Sequence, residues 1–162
     1  MQQNLLSYKC TNMEEIIKKL TELSKTIATM ESCTGGAVAN SITNIEGASL
    51  VFKFGAVTYS NEYKIKMGVD SNIIDKYTVY SIETAMEMSK NIAEFSNADY
   101  GIGITGKINR EDQNNMFGDN SKIFILYSTL FIISLLQNPY INVIVFLFFI
   151  YSFSAAYFKP QS

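Results

Sequence analysis

Charge is distributed along this chain in a way that limits its folds before any motif is read. Every Lys, Arg, Asp and Glu except Lys159 lies at or before Lys122, and the run from Ile123 to Phe158 carries none. A solvated domain needs polar positions on its outer faces, so the chain divides into a portion patterned like an ordinary α/β domain and a portion patterned for lipid or complete burial. The expected division is residues 1–125 as one domain and residues 126–162 as a hydrophobic tail. Gln137-Asn138-Pro139 interrupts that tail. Beyond it, Tyr140 to Phe158 is uncharged over 19 residues, close to the ~20 that cross a bilayer as a helix. One or two hydrophobic helices, candidate transmembrane spans, are therefore expected after the domain, with the membrane as a partner through 140–158.

Thirteen basic against fifteen acidic residues leave a net charge of −2 and give no reason to invoke nucleic acid. Histidine is absent altogether. That excludes Ser-His-Asp and Cys-His catalysis and an imidazole zinc site, so any hydrolysis must draw on Lys, Tyr or a carboxylate. No metal and no cofactor is expected. Cys10 and Cys33 form no CxxC pair, and Met1 to Cys10 has no basic segment leading into an apolar core. A cytoplasmic domain with free thiols fits both observations.

Taken in order, Thr11 to Glu14 has capping-box spacing, and Met13, Ile16, Ile17, Leu20 and Leu23 follow at helical intervals to about Ser24. A short strand, Thr26 to Met30, runs into Glu31-Ser32-Cys33-Thr34-Gly35-Gly36 and then into a second helix, which makes a tight strand-to-helix turn. Such a turn aims backbone N–H groups toward a phosphate or a developing oxyanion, or its glycines merely relieve crowding; both readings stay open on the turn alone. A second strand ends at Tyr59, with Ser60 capping a short helix that carries Lys64. Ser71 to Tyr77 reads as another short helix. Ser81 caps a longer one whose core face is expected from Ile82, Ala85, Met86, Ser89, Ile92 and Ala93. A third strand, Tyr100 to Thr105, ends in Gly106 and a polar loop. Its Gly101-Ile102-Gly103 continues into no nucleotide-binding fingerprint. In an open α/β sheet the carboxyl ends of the strands share one crevice, which would gather the three turns.

Glu31-Ser32-Cys33-Thr34-Gly35-Gly36, Val57-Thr58-Tyr59-Ser60-Asn61-Glu62-Tyr63-Lys64 and Gly103-Ile104-Thr105-Gly106, taken together, resemble the C-terminal domain of the competence/damage-inducible protein CinA. The resemblance covers about residues 10–125. It implies a layered α/β domain around a mixed sheet, and its stand-alone members are nicotinamide-nucleotide amidohydrolases, or NMN deamidases. The implied reaction hydrolyses the carboxamide of nicotinamide mononucleotide, a small-molecule nucleotide substrate, to nicotinate mononucleotide and ammonia. Ser32 would be the nucleophile, assisted by Tyr59 and Lys64, while Thr34, Gly35, Gly36, Thr105, Gly106 and Arg110 would hold substrate. The chemistry of the residues agrees, since a serine needs a base and this chain has no histidine to supply one. Many members continue the loop after Gly106 with a Gly-Pro-rich segment, where this chain has Lys107 to Asn115.

The resemblance also implies further strands and a charged C-terminal helix where the hydrophobic tail stands, so the domain is expected to be truncated at its end. Three accounts of the tail compete: a membrane anchor, a shifted reading frame in an AT-rich gene, and a buried core extension. The second is preferred because the break falls inside a family strand. The alternative to an active enzyme is a non-catalytic, truncated, membrane-associated relative; a homo-oligomer stays among the candidate partners.

Overall fold

The computed structural model describes residues 12–107, 115 and 122–129. Helix α1 (Met13–Glu22) buries Met13, Ile16, Ile17 and Leu20 on one stripe. Its cap is Asn12, which accepts from the Glu15 amide at 2.9 Å. The capping pattern thus falls one residue later than the Thr11–Glu14 spacing suggests; Thr11 lies outside the described residues. Ser24 adopts a left-handed φ of 51°, which turns the chain and leaves Leu23, an expected core position, 40% exposed.

Four strands follow: β1 (Ile27–Glu31), β2 (Phe52–Val57), β3 (Tyr100–Gly106) and β4 (Ile123–Thr129), in the sheet order β2-β1-β3-β4. β1 pairs in parallel with both β2 and β3, and only β3–β4 is antiparallel, so the sheet is mixed. β1 and β3 are buried along their whole length, the state of strands covered on both faces. α1 and α2 (Ala37–Thr43) cover one face through Ile17, Leu20, Val38 and Ile42 against Ile27, Ile102 and Ile104. α4 (Ser71–Tyr77) and α5 (Ile82–Ser96) cover the other through Ile74, Met88 and Ile92 against Ala28 and Met30. Three layers result, an α/β domain around a mixed sheet. α2 joins β1 to β2 across one face. α3 (Asn61–Lys66), α4 and α5 lead from β2 to β3, on the far side of β1. Connections that leave neighbouring parallel strands toward opposite faces open a crevice at their carboxyl ends, here between β1 and β3.

The expected division at 125/126 falls within β4, which runs on to Thr129 and pairs with β3 along its length. Among the described residues no helix is long and apolar enough to cross a membrane. The candidate spans, and the run 140–158 with them, lie outside the described residues.

The glycines of β3 explain how α5 sits. A Cβ on Gly101 would lie 1.9 Å from the Ser89 carbonyl oxygen, and one on Gly103 would lie 2.1 Å from that of Ala85. The helix backbone therefore rests directly on the strand, and the face it buries is Ala85, Met88, Ser89, Ile92 and Ala93. Ile82 and Met86, expected in that face, are 50% and 52% exposed. Backbone contact at Ala85 and Ser89 sets the rotation of α5, and Met88 takes the core place expected for Met86.

The amino ends of β1 and β3 are clasped by Asp99. Its carboxylate accepts from Lys25 Nζ at 2.8 Å, the Thr26 amide at 2.8 Å and the Thr26 hydroxyl at 2.9 Å. Partial burial pushes the Asp99 carboxyl up, but the Lys25 and Thr26 donors outweigh it and hold it below its ordinary 3.8. A depressed carboxylate contributes stability that is complete above its unfolded value and is lost as pH falls through the folded one.

Two outcomes follow. Gly101→Ala must push two backbones apart, so urea unfolding should show a loss of about 3 kcal/mol or more, at the upper end of overpacking costs. Asp99→Asn should be less stable than wild type at pH 6, and the gap should close as the pH is lowered below 3.8, read from denaturation midpoints across that range.

Candidate active site at the carboxyl end of the sheet

β1 delivers a carboxylate into the protein interior. Glu31 is 0% exposed, and its oxygens accept from the Thr34 hydroxyl at 2.6 Å and from the Val38 and Ala39 amides at 3.1 and 2.7 Å. Those amides belong to the first turn of α2, whose own cap residue, Gly36, has no side chain to offer. Glu31 is therefore the helix cap, supplied from the strand before the turn, and its charge suits the positive end of the helix. Gly35 and Gly36 hold left-handed φ values of 61° and 94°, which let the chain reverse between the carboxylate and the helix it caps. The amides of Val38 and Ala39 are thus spent on Glu31.

Ser32 comes next, held by the strand on either side. Its amide donates to the Ile104 carbonyl at 3.0 Å, and the Glu31 carbonyl accepts from the Thr58 amide at 2.8 Å. Ser32 is 5% exposed, and Lys64 is 1% exposed. Lys64 lies on α3, and its stem runs back along the helix, the usual direction of a helical side chain. Its Nζ lies 3.0 Å from Ser32 Oγ, 2.6 Å from the Thr58 carbonyl oxygen and 3.3 Å from that of Tyr59. Carbonyl oxygens only accept, so a neutral amine places both its hydrogens there and turns its lone pair to the serine hydroxyl. An ammonium finds an acceptor for all three hydrogens. The cluster accommodates both proton positions without rearrangement.

The other expected site residues have different fates. Tyr59 reaches the cluster through its carbonyl, while its ring is 74% exposed. Thr34 is buried, with its hydroxyl given to Glu31. The Thr105 hydroxyl donates to the Val79 carbonyl at 2.8 Å, fastening the end of β3 to the entry of α5. At Gly106 a Cβ would stand 2.6 Å from the Lys122 carbonyl oxygen, so this glycine admits the close approach of β4. Arg110 lies outside the described residues. Asn61 Nδ2 donates to Asn115 Oδ1 at 2.8 Å, linking α3 to the loop beyond β3. Glu31 was not singled out by sequence reasoning. Its signal is an acidic residue before a turn that leads into a helix whose cap position is glycine.

A buried Ser–Lys pair therefore stands at the carboxyl end of the parallel strands of this α/β domain. The profile of the CinA C-terminal domain matches residues 10–115, and the chain belongs to that family. A competence-damage inducible protein of Thermoanaerobacter sp. strain X514 is 47% identical over 96 residues, 58% of this chain and 23% of its own. One from Clostridium botulinum strain Okra is 46% identical over 105 residues, 64% of this chain and 26% of its own. The chain thus spans about a quarter of the length of these curated relatives. Among solved structures, a CinA superfamily protein from Escherichia coli superposes with a TM-score of 0.64 at 21% identity, covering 94% of this chain and 97% of that one. The competence/damage inducible protein CihA from Agrobacterium tumefaciens gives 0.61 at 24% identity, covering 90% and 95%. These likenesses establish the fold.

Cys33, beside Ser32, is half-buried. Desolvation pushes its thiol up to about 11, against the pull of its own amide and of Lys64. At pH 8 roughly one molecule in a thousand carries the thiolate, against about a quarter for an ordinary thiol. In a Cys10→Ser background, Cys33 should therefore react with iodoacetamide at pH 8 about a hundredfold or more slower than free cysteine.

Proposed function

We propose that the domain hydrolyses the carboxamide of nicotinamide mononucleotide to nicotinate mononucleotide and ammonia, with Ser32 as nucleophile and Lys64 as general base. The observation that carries this reading is the 3.0 Å approach of Lys64 Nζ to Ser32 Oγ between two buried residues. Membership of the CinA C-terminal domain family supports the choice of substrate.

In the first step the Ser32 hydroxyl proton passes to the Lys64 lone pair as Oγ bonds to the carboxamide carbon. The resulting Lys64 ammonium keeps its bonds to the Thr58 and Tyr59 carbonyls. It then gives a proton to the amide nitrogen, the C–N bond breaks, and ammonia leaves an ester on Ser32. Water, deprotonated by the now neutral Lys64, attacks that ester. The carboxylate product departs and Ser32 Oγ recovers its proton. Tyr59 contributes a fixed carbonyl acceptor in this scheme, which asks nothing of its phenol. Glu31, by fixing the turn, keeps Oγ in line with Nζ; an ångström of misplacement would cost about a hundredfold.

The test is ammonia release from nicotinamide mononucleotide by purified protein. Ser32→Ala should abolish it. Lys64→Met should lower kcat by roughly 10²- to 10⁴-fold, the range of a general base, while Tyr59→Phe, which keeps the carbonyl, should stay within about threefold of wild type. Robust ammonia release by folded Ser32→Ala would sink the assignment.

A further inference from the structure

Three side-chain atoms are buried without a hydrogen-bond partner among the described residues: Thr29 Oγ1, Thr58 Oγ1 and Asn61 Oδ1. A buried polar atom left idle costs stability, and one beside a reactive pair is a candidate for a partner that arrives with the substrate. Thr29 lies on the α2 side of the sheet, since a Cβ on Gly55 would meet both its hydroxyl and Ala39. The Asn61 oxygen can only accept. Thr58 is different: it is 3% exposed, and its hydroxyl can donate.

The main chain fixes Thr58 beside the Ser32–Lys64 pair. Its amide donates to the Glu31 carbonyl at 2.8 Å, and its carbonyl accepts from Lys64 Nζ at 2.6 Å. Glu31 is the register partner of Val57, so Thr58 stands next to Ser32 across the two strands. Both side chains leave on the same face. Ala56 and Met30 pack in the α5-side core, Val57 turns to the α2 side against Gly36, and strand alternation returns Thr58 and Ser32 to the α5 side. Neighbouring strands are about 4.8 Å apart, so a group bonded to Ser32 Oγ comes within reach of the Thr58 hydroxyl.

Attack by Ser32 turns a carbonyl oxygen into an oxyanion, which needs donors aimed at it. The turn after β1 has few to give. The amides of Ser32, Gly35 and Ala37 bond to the carbonyls of Ile104, Ser32 and Thr34, and those of Val38 and Ala39 to Glu31. The amides of Cys33 and Thr34 bond to the Cys33 thiol, and Gly36 packs toward Val57 on the α2 side.

We infer that Thr58 is a further catalytic residue, whose hydroxyl donates to the oxyanion formed on the substrate carbonyl. As the bond from Ser32 Oγ to carbon forms, the carbonyl π pair moves onto oxygen, the Ser32 proton passes to Lys64 Nζ and the Thr58 hydroxyl turns its hydrogen to the new charge. When the pair returns, the C–N bond breaks, the nitrogen leaves with the proton from Lys64, and Thr58 is again without a partner. The inference rests on Ser32 as the proposed nucleophile, and not on which acyl compound it attacks. A donor idle in the resting protein and engaged only at the transition state raises kcat without tightening substrate binding.

Thr58→Val keeps the shape of the side chain and removes the hydroxyl. With nicotinamide mononucleotide as substrate, kcat should fall by about 10²- to 10³-fold while KM stays within about threefold. The urea midpoint should stay at or above that of wild type, because an unsatisfied group has been removed. A merely structural threonine would give the reverse, a lower midpoint and an unchanged kcat. Thr58→Ser, which restores the donor, should recover to within about tenfold of wild type, and Thr58→Ala serves if the valine protein does not fold. The same proteins are assayed with 4-nitrophenyl acetate, taking the nitrophenolate release that Ser32→Ala lacks as the measure of Ser32 acylation. If wild-type protein releases no ammonia from the mononucleotide but its Ser32-dependent nitrophenolate release is slowed by Thr58→Val and recovered by Thr58→Ser, the amidase reading fails and the assignment of Thr58 stands. Wild-type Ser32-dependent rates in folded Thr58→Val or Thr58→Ala overturn the inference, as does the absence of Ser32-dependent release from both compounds.

Discussion

A carboxylate buried at the end of the central strand organises this domain. Glu31 is removed from water, and the cost of stripping a charge is offset only because three donors converge on it. Two of those donors are the opening amides of α2, so the carboxylate fixes where the helix begins. The third is Thr34, so it also fixes the turn between them. Ser32 is the residue immediately after this anchor, and its backbone has little freedom left. Each such donor is worth about 1.5–3 kcal/mol to a charged acceptor, comparable to the cost of misplacing a nucleophile. The order of causes runs from a buried charge to a helix position, and from there to the direction of one hydroxyl.

Much of this was legible in the residues. The strand–turn–helix around Ser32, the caps at Ser60 and Ser81 and the strand before Gly106 announce themselves through β-branched runs, glycine pairs and short polar side chains, all local signals. What escaped was decided by contacts distant in sequence. Apolar spacing on α5 allowed either Met86 or Met88 to face inward, and the choice came from two glycines on β3. By residue type a lysine beside another lysine belongs in solvent, yet Lys64 is buried because three oxygen atoms from the β1 and β2 ends surround it. Glu31 looked like part of a motif and proved to be its support. Tyr59 sits in the recognised segment, but the segment is held in common by its main chain, and the phenol faces outward.

The site is built from two different kinds of loop. The turn after β1 is saturated with internal bonds, with Thr34, Gly35, Val38 and Ala39 all engaged within it. The segment after β3 is tied down at Thr105, whose hydroxyl donates to the Val79 carbonyl, and at Lys107, whose amide donates to the Lys122 carbonyl. A rigid element suits a nucleophile, which must be aimed.

The parallel arrangement of β1, β2 and β3 has a consequence for how the domain comes into being. No two of these strands can be joined by a tight hairpin, so each pairing closes a long stretch of chain before it gains anything. Lys64 meets Ser32 across 32 positions, and Lys25 meets Asp99 across 74. A nascent chain can hold α1 and β1 in native form and still lack the Ser32–Lys64 contact, because the lysine comes with α3 and the Ile104 carbonyl that accepts from the Ser32 amide comes with β3. The Ser32–Lys64 pair therefore arises only with the assembled sheet, and partly folded molecules carry the motif without that contact.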